Sequence, residues 1–403
     1  MKEKIIVCLS SYFKGYDFIE EMNKLGNTVI LVTSNSLKEK KWPWSSIKEV
    51  YYMDDLEPSV WNMDYLVEGF SHLMKTHKVD AVIALDDFDV EKAALVREIF
   101  RIPGMGQTTH RYFRDKLAMR QMAKDSGIKA PEFSSIFNDE IVNAFANNNP
   151  APWVLKPRSE ASATGIMKIK SREELWEAIE KLGNRRHYYL LETFKPGDVY
   201  HVDSLVFQKE IVFTSCAQYL SPPMEVSHEG GVFRTKTLRR YSEEFKALEA
   251  ANTKVLKSFG LVNGATHTEF IRGKADGEWY FLETSSRVGG AHISDMVEAS
   301  SDVNLWREWA RIENALLKNI NYKVPKLTHF SAGLIIALAK EKNPDYEVFQ
   351  CEEVLKFLPL DHHVGIVYKS DSHEKVEQRL DEAAEMITKV YLNIIPPNSK
   401  SKS

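Results

Sequence analysis

Glu269 and Glu283 are the residues of this chain whose type and spacing first suggest chemistry. They lie on two short apolar runs, 265–272 (ATHTEFIR) and 278–284 (EWYFLET), with GKADG at 273–277 between them. Glycines and Asp in that gap mark the turn of an antiparallel hairpin. A hairpin centred on Asp276 makes the two glutamates cross-strand partners on one face, provided no bulge intervenes. Like charges directly opposed destabilise a β-ribbon, with Cβ atoms about 4.5–5.5 Å apart. A cation between the carboxylates, or protonation of one, relieves that repulsion. Two carboxylates together with phosphate oxygens are a usual way of holding Mg²⁺. The plain alternative is two solvated glutamates on an exposed face.

The residues after Glu283 favour chemistry. Thr284-Ser285-Ser286-Arg287-Val288-Gly289-Gly290-Ala291-His292 leads from a strand end through a Ser/Arg/Gly loop into a helix. Gly289 and Gly290 let backbone N–H groups approach a ligand, and Arg287 supplies a planar donor fork for phosphate or carboxylate. A metal-binding acid beside an anion-binding loop suits phosphoryl transfer, whose catalysis is mainly positioning and charge neutralisation. Lys156 ends an apolar strand ahead of PRSEASATG at 157–165. It is a point charge for phosphate oxygens, and the small residues of the loop, Ser162 and Thr164 among them, leave main-chain N–H groups free to cover a phosphate. The loop is not a Walker A sequence. The polar stretch 221–233 places His228 and Glu229 on a candidate substrate-binding loop. His201, His228 and His292 are candidate substrate contacts, with structural or exposed histidines as the plainer account, and no metal-ligand spacing joins them.

The elements that must position these groups alternate strand and helix at first: strands at 4–9, 28–33 and 80–85, helices at 15–25, 60–77 and 91–100. Such alternation predicts a parallel sheet covered by helices. No GxGxxG follows the first strand, so a dinucleotide fingerprint is absent. Asp86, Asp87 and Asp89 lie at a strand's carboxyl end, where ligands of such sheets bind; a loop of solvated acids is the plainer account. A helix is expected at 111–126, closed by Gly127. Antiparallel pairs follow: 153–156 with 166–170, then 188–192 and 200–207 flanking Phe194-Lys195-Pro196-Gly197, then β-structure at 209–219. Helices are expected at 242–259 and 295–317, a boundary at Val324-Pro325, and strands 332–339 and 364–369 with a helix 373–391 beyond it. Trp42-Pro43-Trp44 reads as packing.

Length and composition set the limits. A chain of 403 residues suggests two or three domains, and 43% hydrophobic with 27% charged residues is ordinary for a globular protein. A net charge of −4 gives no general attraction to nucleic acid or anionic membrane, so any phosphate must be bound by local groups. The start carries no signal-peptide pattern and no stretch is apolar enough to span a bilayer. Three scattered cysteines without a CxxC read as reduced structural thiols. The expected location is cytoplasmic.

In joint order, RDKLAMRQMAKDSGIKAPEF, WVLKPRSEASATGI, YLLETFKPGDVYHVD, and ATHTEFIR with FLETSSRVGGAHI make residues 111–317 resemble the ATP-grasp superfamily, with a domain order similar to biotin carboxylase and the carboxylate–amine ligases. The resemblance implies a Rossmann-like α/β pre-ATP-grasp domain at 1–106, an α+β ATP-grasp domain at 107–323 with a lid at about 131–192, a small mixed α/β C-terminal domain at 324–395, and a disordered tail at 396–403. It implies ATP with Mg²⁺ or Mn²⁺, small carboxylate and amine substrates, no nucleic acid or membrane partner, and a homodimer as a candidate assembly. Lys116 and Lys156 would meet phosphates. Glu192, Thr193 and Phe194 would line the adenine site, and Asp198 would bond ribose. Glu269 and Glu283 would bridge metal, and Arg287 would steady the transferred phosphate or acyl intermediate. Relatives usually have Asn two residues after the second Glu; here it is Ser285, whose hydroxyl can still coordinate Mg²⁺, which leaves one or two ions open. The implied reaction is ATP-dependent amide formation through an acyl phosphate. Carboxylation through carboxyphosphate and non-catalytic nucleotide binding are the alternatives.

Overall fold

The computed structural model describes residues 3–160, 164–221 and 231–393, so Ser162, His228, Glu229 and the tail at 396–403 lie outside the described residues. Strands β1 (Ile5–Ser10), β2 (Thr28–Ser34) and β3 (Glu49–Met53) come first. A short antiparallel pair, β4 (Asp55–Glu57) and β5 (Val60–Trp61), precedes β6 (Ala81–Ala84). β3, β2, β1 and β6 form a parallel sheet in that order. These strands are apolar without alternation because both faces are covered. Ile6, Cys8, Val29, Leu31 and Ile83 point to one cluster, and Val7, Leu9, Ile30, Val32 and Val82 to another. The second face packs on helices Met63–Leu73 and Asp87–Phe100. The first packs on helix Tyr16–Lys24, where Phe18 meets Trp309 of helix Leu305–Lys318 with ring centroids 5.0 Å apart. The amino-terminal sheet therefore shares a core with a much later part of the chain.

A second, antiparallel sheet contains β7 (Phe133–Ser135), β8 (Trp153–Pro157), β9 (Met167–Ile169) and β10 (Tyr189–Thr193), in the order β7-β10-β8-β9. Helices Asp139–Asn148 and Arg172–Leu182 cover it. The third sheet is antiparallel throughout. Its strands are β11 (Gly197–Phe207), β12 (Glu210–Tyr219), β13 (Phe233–Thr237), β14 (Gly264–Gly273), β15 (Trp279–Ser285), β16 (Ser331–Leu338), β17 (Val354–Phe357) and β18 (His363–Ser370), in the order β15-β14-β11-β12-β13-β16-β18-β17. Helix Glu243–Phe259, begun by the Ser242 hydroxyl accepting from the Phe245 N–H and ended by Gly260 at φ 78°, packs on the β14–β15 end. There Phe259 meets Phe281 edge-on at 5.3 Å; burying each ring contributes about 1.5–3 kcal/mol and anchors the strand that carries Glu283. The sheet runs on across residues 324–325 through the β13–β16 pair, and helix His373–Met386 covers its far strands.

Several expectations need correction. The helix expected at 60–77 begins at Met63, because Val60 and Trp61 are engaged in the β4–β5 pair and Asn62 caps the helix. The one expected at 111–126 is broken: Arg114 leaves helical geometry at φ −139°, and Asp115 starts a new helix, Lys116–Asp125, by accepting from the Leu117 N–H. That at 295–317 is two helices, Ile293–Ser301 and Leu305–Lys318. Asp302 turns left-handed at φ 60° between them, and the Asn304 side chain accepts from the Arg307 N–H. The runs flanking Phe194–Gly197 are not partners, since β10 and β11 belong to different sheets. Trp42 is buried against Phe13, as packing requires, but Trp44 is exposed. Among the described residues no helix is long and apolar enough to cross a membrane.

Candidate active site

Glu269 and Glu283 face each other across β14 and β15. The register contains a bulge: Phe270 pairs with Phe281, so Leu282 is an extra residue. Without that bulge Glu269 would face Leu282, and Glu283 would turn to the other side of the sheet. Alternation puts Ser285 and His267 on the same face, and these two are also register partners. β11 continues the row, with His201 opposite Glu269 and Asp203 opposite His267.

The glutamates stand between two cavities. The larger, about 620 Å³, lies between the second and third sheets and is lined by Lys156, Thr164, Glu192, Thr193, Phe194 and Asp198. The smaller, about 300 Å³, is lined by Asp87, Tyr219, His267, Ser285, Arg287 and Gly290. Lys116, Glu160, Glu269 and Glu283 line both. Of the sequence candidates, Gly289 lies behind the smaller cavity. A Cβ there would sit 2.8 Å from Asp203 Oδ1, so the loop passes as close to the sheet as glycine allows. His292 is exposed and bonded to Asp295 at 2.9 Å, and lines neither cavity.

The charges are arranged in pairs. Lys116, on the first turn of its helix, places Nζ 2.7 Å from Glu283 Oε2 and donates to the Glu160 carbonyl at 2.7 Å. Burial alone would raise the Glu283 pKa, but the Lys116 ammonium and, behind it, Lys156 together outweigh it and hold the carboxyl below its usual value. Lys156 lies 2.7 Å from Glu192 Oε2. Its burial lowers its pKa to about 8, a fall that Glu192 only partly offsets. Arg120, one helical turn after Lys116, makes a close ion contact with Glu192 at 2.7 Å and donates to the Leu282 carbonyl at 2.5 Å. One guanidinium thus touches both walls of the larger cavity.

Arg287 is held by Asp87. Its Nε donates to Asp87 Oδ2 at 2.8 Å, a second N–H reaches the same oxygen, and another donates to the Val288 carbonyl at 2.9 Å. Burial opposes ionisation of Asp87, yet Arg287 and Arg114 outweigh it and keep the carboxyl well below the usual range. The reading of Asp86, Asp87 and Asp89 as solvated acids is corrected: they are 1%, 4% and 0% exposed, and pair with Lys14, Arg287 and Lys92. A carboxylate this buried requires a cationic partner.

Behind Glu269, Asp203 bridges two imidazoles, with the His201 Nδ1 at 2.7 Å and the His267 Nδ1 at 2.9 Å, one on each oxygen. These three residues could offer metal ligands within 4.8 Å of one another, but each Nδ1 is spent on a carboxylate oxygen, which makes the cluster a hydrogen-bonded triad. His201 is thus structural. Burial would lower the His267 pKa, but Asp203 outweighs it and brings it up to about 9. The His267 Nε2 lies 3.7 Å from Glu269 Oε1, to which the Tyr219 hydroxyl donates at 2.9 Å. Two opposed carboxylates and the Ser285 hydroxyl form an all-oxygen donor set, which fits a hard divalent cation.

Sequence reasoning missed His267, Asp203, Tyr219 and Arg120, and set Asp87 aside in favour of a solvated loop. His267 precedes Glu269 by two and Asp203 follows His201 by two, so strand alternation could have found them. Arg120 follows Lys116 by four, on the same helical face. The strand end marked Asp87 as a candidate, but nothing local gives its partner, which is 200 residues away.

Residues 149–295 match the ATP-grasp domain family. Over 287 residues the chain is 25% identical to an L-arginine-specific L-amino acid ligase of Bacillus subtilis, covering 69% of this chain and 66% of that protein. Over 103 residues it is 29% identical to a D-alanine–D-alanine ligase of Polynucleobacter asymbioticus, covering 25% of this chain and 31% of that one. The chain therefore spans two thirds or less of the curated relatives it matches. Its fold is shared with a crystal structure of an L-amino acid ligase from Bacillus licheniformis, with a TM-score of 0.72 over 98% of this chain and 99% of that one at 21% identity. The chain thus carries an ATP-grasp domain at residues 149–295, and it is similar in sequence to amino acid ligases and in fold to one of them.

Proposed function

We propose that the protein is an ATP-dependent carboxylate–amine ligase that joins an amino acid, through its carboxylate, to an amine. One observation carries this reading: the two opposed glutamates stand on the divide between two cavities, with Lys156 on one side and Arg287 on the other. The larger cavity takes ATP, with Thr193 and Phe194 beside the base, Asp198 at the ribose and Lys116 and Lys156 at the phosphates. The smaller takes the acid. In domain terms, residues 1–106 act as a Rossmann-like pre-ATP-grasp unit, 107–323 as the ATP-grasp unit, and 324–395 as the closing unit.

Glu269, Glu283 and Ser285 would hold Mg²⁺ or Mn²⁺, which when bound supplies charge neutralisation at phosphate oxygens. A substrate carboxylate oxygen attacks the γ-phosphorus, the β–γ P–O bond breaks, and ADP leaves with that electron pair. Arg287 stabilises the charge on the transferred group, and Lys156 the charge developing on ADP. The amine nitrogen then attacks the acyl carbon, the C–O bond to phosphate breaks, and the amine proton passes to solvent. The second sheet, carrying Lys156, closes over the nucleotide and keeps water from the acyl phosphate.

The test is ADP release from ATP in the presence of amino acids singly and in pairs, with product masses read out. The expected result is ADP formed in step with a product lighter by one water than the sum of its substrates. ADP release independent of every acid, or dependent on bicarbonate alone, would refute the ligase.

A further inference from the structure

The smaller cavity contains a cation that the scheme above does not use. Arg114 sits in the break ahead of helix Lys116–Asp125, and its side chain lines this cavity but not the larger one. Its guanidinium carbon stands 4.5 Å from the centroid of the Phe88 ring. Stacking on that ring fixes the plane of the donor fork without consuming its N–H groups. Among the described residues, no hydrogen bond or ion pair from this side chain is present, whereas the other basic groups of the cavity are engaged: Lys116 with Glu283, Arg287 with Asp87 and His267 with Asp203. A guanidinium carries five donors in a fixed fork and no acceptor, a shape that matches a carboxylate in two-point contact.

A second observation points to a ligand at the same place. Both contacts from Arg287 to Asp87 fall on Oδ2, while Asp87 Oδ1 is buried without a hydrogen-bond partner in a residue 4% exposed. Buried carboxylate oxygens are ordinarily satisfied, so an unpaired one in a residue that lines the cavity points to a missing donor. One planar cation and one lone carboxylate oxygen are the complement of a zwitterion. The phosphates of ATP do not account for Arg114, because the reading above puts them across the two glutamates, where Lys156 serves.

Resting on the ligase reading, we propose that Arg114 is the receptor for the α-carboxylate of the amine-donating substrate, with Asp87 Oδ1 receiving its ammonium group before attack. The second substrate is then a free amino acid with an unblocked carboxylate, and amines that lack one are selected against.

The test offers the L-amino acids as acceptors, each free and as its primary amide, and measures kcat/KM for both forms. Hydroxylamine serves in parallel to trap the acyl phosphate as a hydroxamate without any acceptor amino acid. The wild-type protein is expected to prefer the free acid over its amide. Arg114→Met should lower that preference by about tenfold or more, the effect of one lost charge-assisted contact, and Arg114→Lys should restore part of it. An unchanged preference in Arg114→Met overturns the assignment. So does a hydroxamate yield that falls in step with the peptide yield, which would move Arg114 to phosphoryl transfer. A wild-type protein that forms no hydroxamate with any amino acid sinks the ligase reading and this proposal with it, whereas hydroxamate with an unchanged preference sinks the Arg114 assignment alone.

Discussion

Replacing Lys156 by methionine separates its two roles. The residue is 6% exposed and its ammonium lies 2.7 Å from Glu192. Methionine keeps most of the apolar stem, so packing survives. Stranding a buried carboxylate costs about 3–5 kcal/mol, but Glu192 retains Arg120 at 2.7 Å. The stability loss should therefore be nearer that of one hydrogen bond to a charged group, about 1.5–3 kcal/mol. If Lys156 meets phosphate, a similar amount is lost from transition-state binding, so kcat/KM for ATP falls about 10- to 150-fold. The pH profile gives an independent check. Because the Lys156 pKa is lowered to about 8, the free wild-type enzyme loses this cation as pH rises through that value, and kcat/KM for ATP falls with it. Stability moves the other way. The unfolded lysine holds its proton up to 10.5, so between pH 8 and 10.5 the unfolded state binds more protons and folding stability rises with pH. The methionine variant should lack both trends. ADP release at varied ATP and pH, with thermal unfolding alongside, reads all of this. A variant with wild-type kcat/KM for ATP, or with the alkaline fall intact, refutes the role given to Lys156.

Glu283→Gln should reduce ADP formation more than about a hundredfold while leaving the unfolding midpoint within a few degrees, since Lys116 keeps the Glu160 carbonyl; turnover near wild type would remove the metal assignment. Asp87→Asn leaves Arg287 buried beside a neutral group, and a loss of about 3 kcal/mol in stability is expected, read by denaturant unfolding; an unchanged midpoint would show the pair to be dispensable. The His267 pKa is raised to about 9, so its contribution is complete below 6.5 and disappears as pH climbs through 9. His267→Gln should be destabilised relative to wild type at pH 6 and much less so at pH 10. A gap between the two proteins that does not narrow over that range would contradict the Asp203–His267 pairing.

The hairpin was legible because turn residues and strand alternation act locally, and Glu269 and Glu283 are partners as the spacing implied. The reason was incomplete. The strand register measured from Arg272 and Trp279 would have matched Glu269 to Leu282, and the bulge at Leu282 supplies the missing offset. Bulges depend on tertiary packing and leave no residue-type mark here. The break at Arg114–Asp115 was readable in principle, since Asp is a strong N-cap, but the helical pattern on both sides hid it. Asp86, Asp87 and Asp89 were misjudged because three acids near a loop look solvated until their partners Lys14, Arg287 and Lys92 are in view. Two of those partners lie at least 72 residues from their acids, beyond any local signal.

Arg120 has a further consequence. With one edge of its guanidinium on Glu192 and another on the Leu282 carbonyl, it is a strut between the second and third sheets. A strut fixed at both ends resists sideways sliding of the smaller sheet, so the gap keeps its width near Glu192. With the nucleotide in that gap, as proposed, the thickness of flat base it admits is set by a buried residue that no ligand needs to touch.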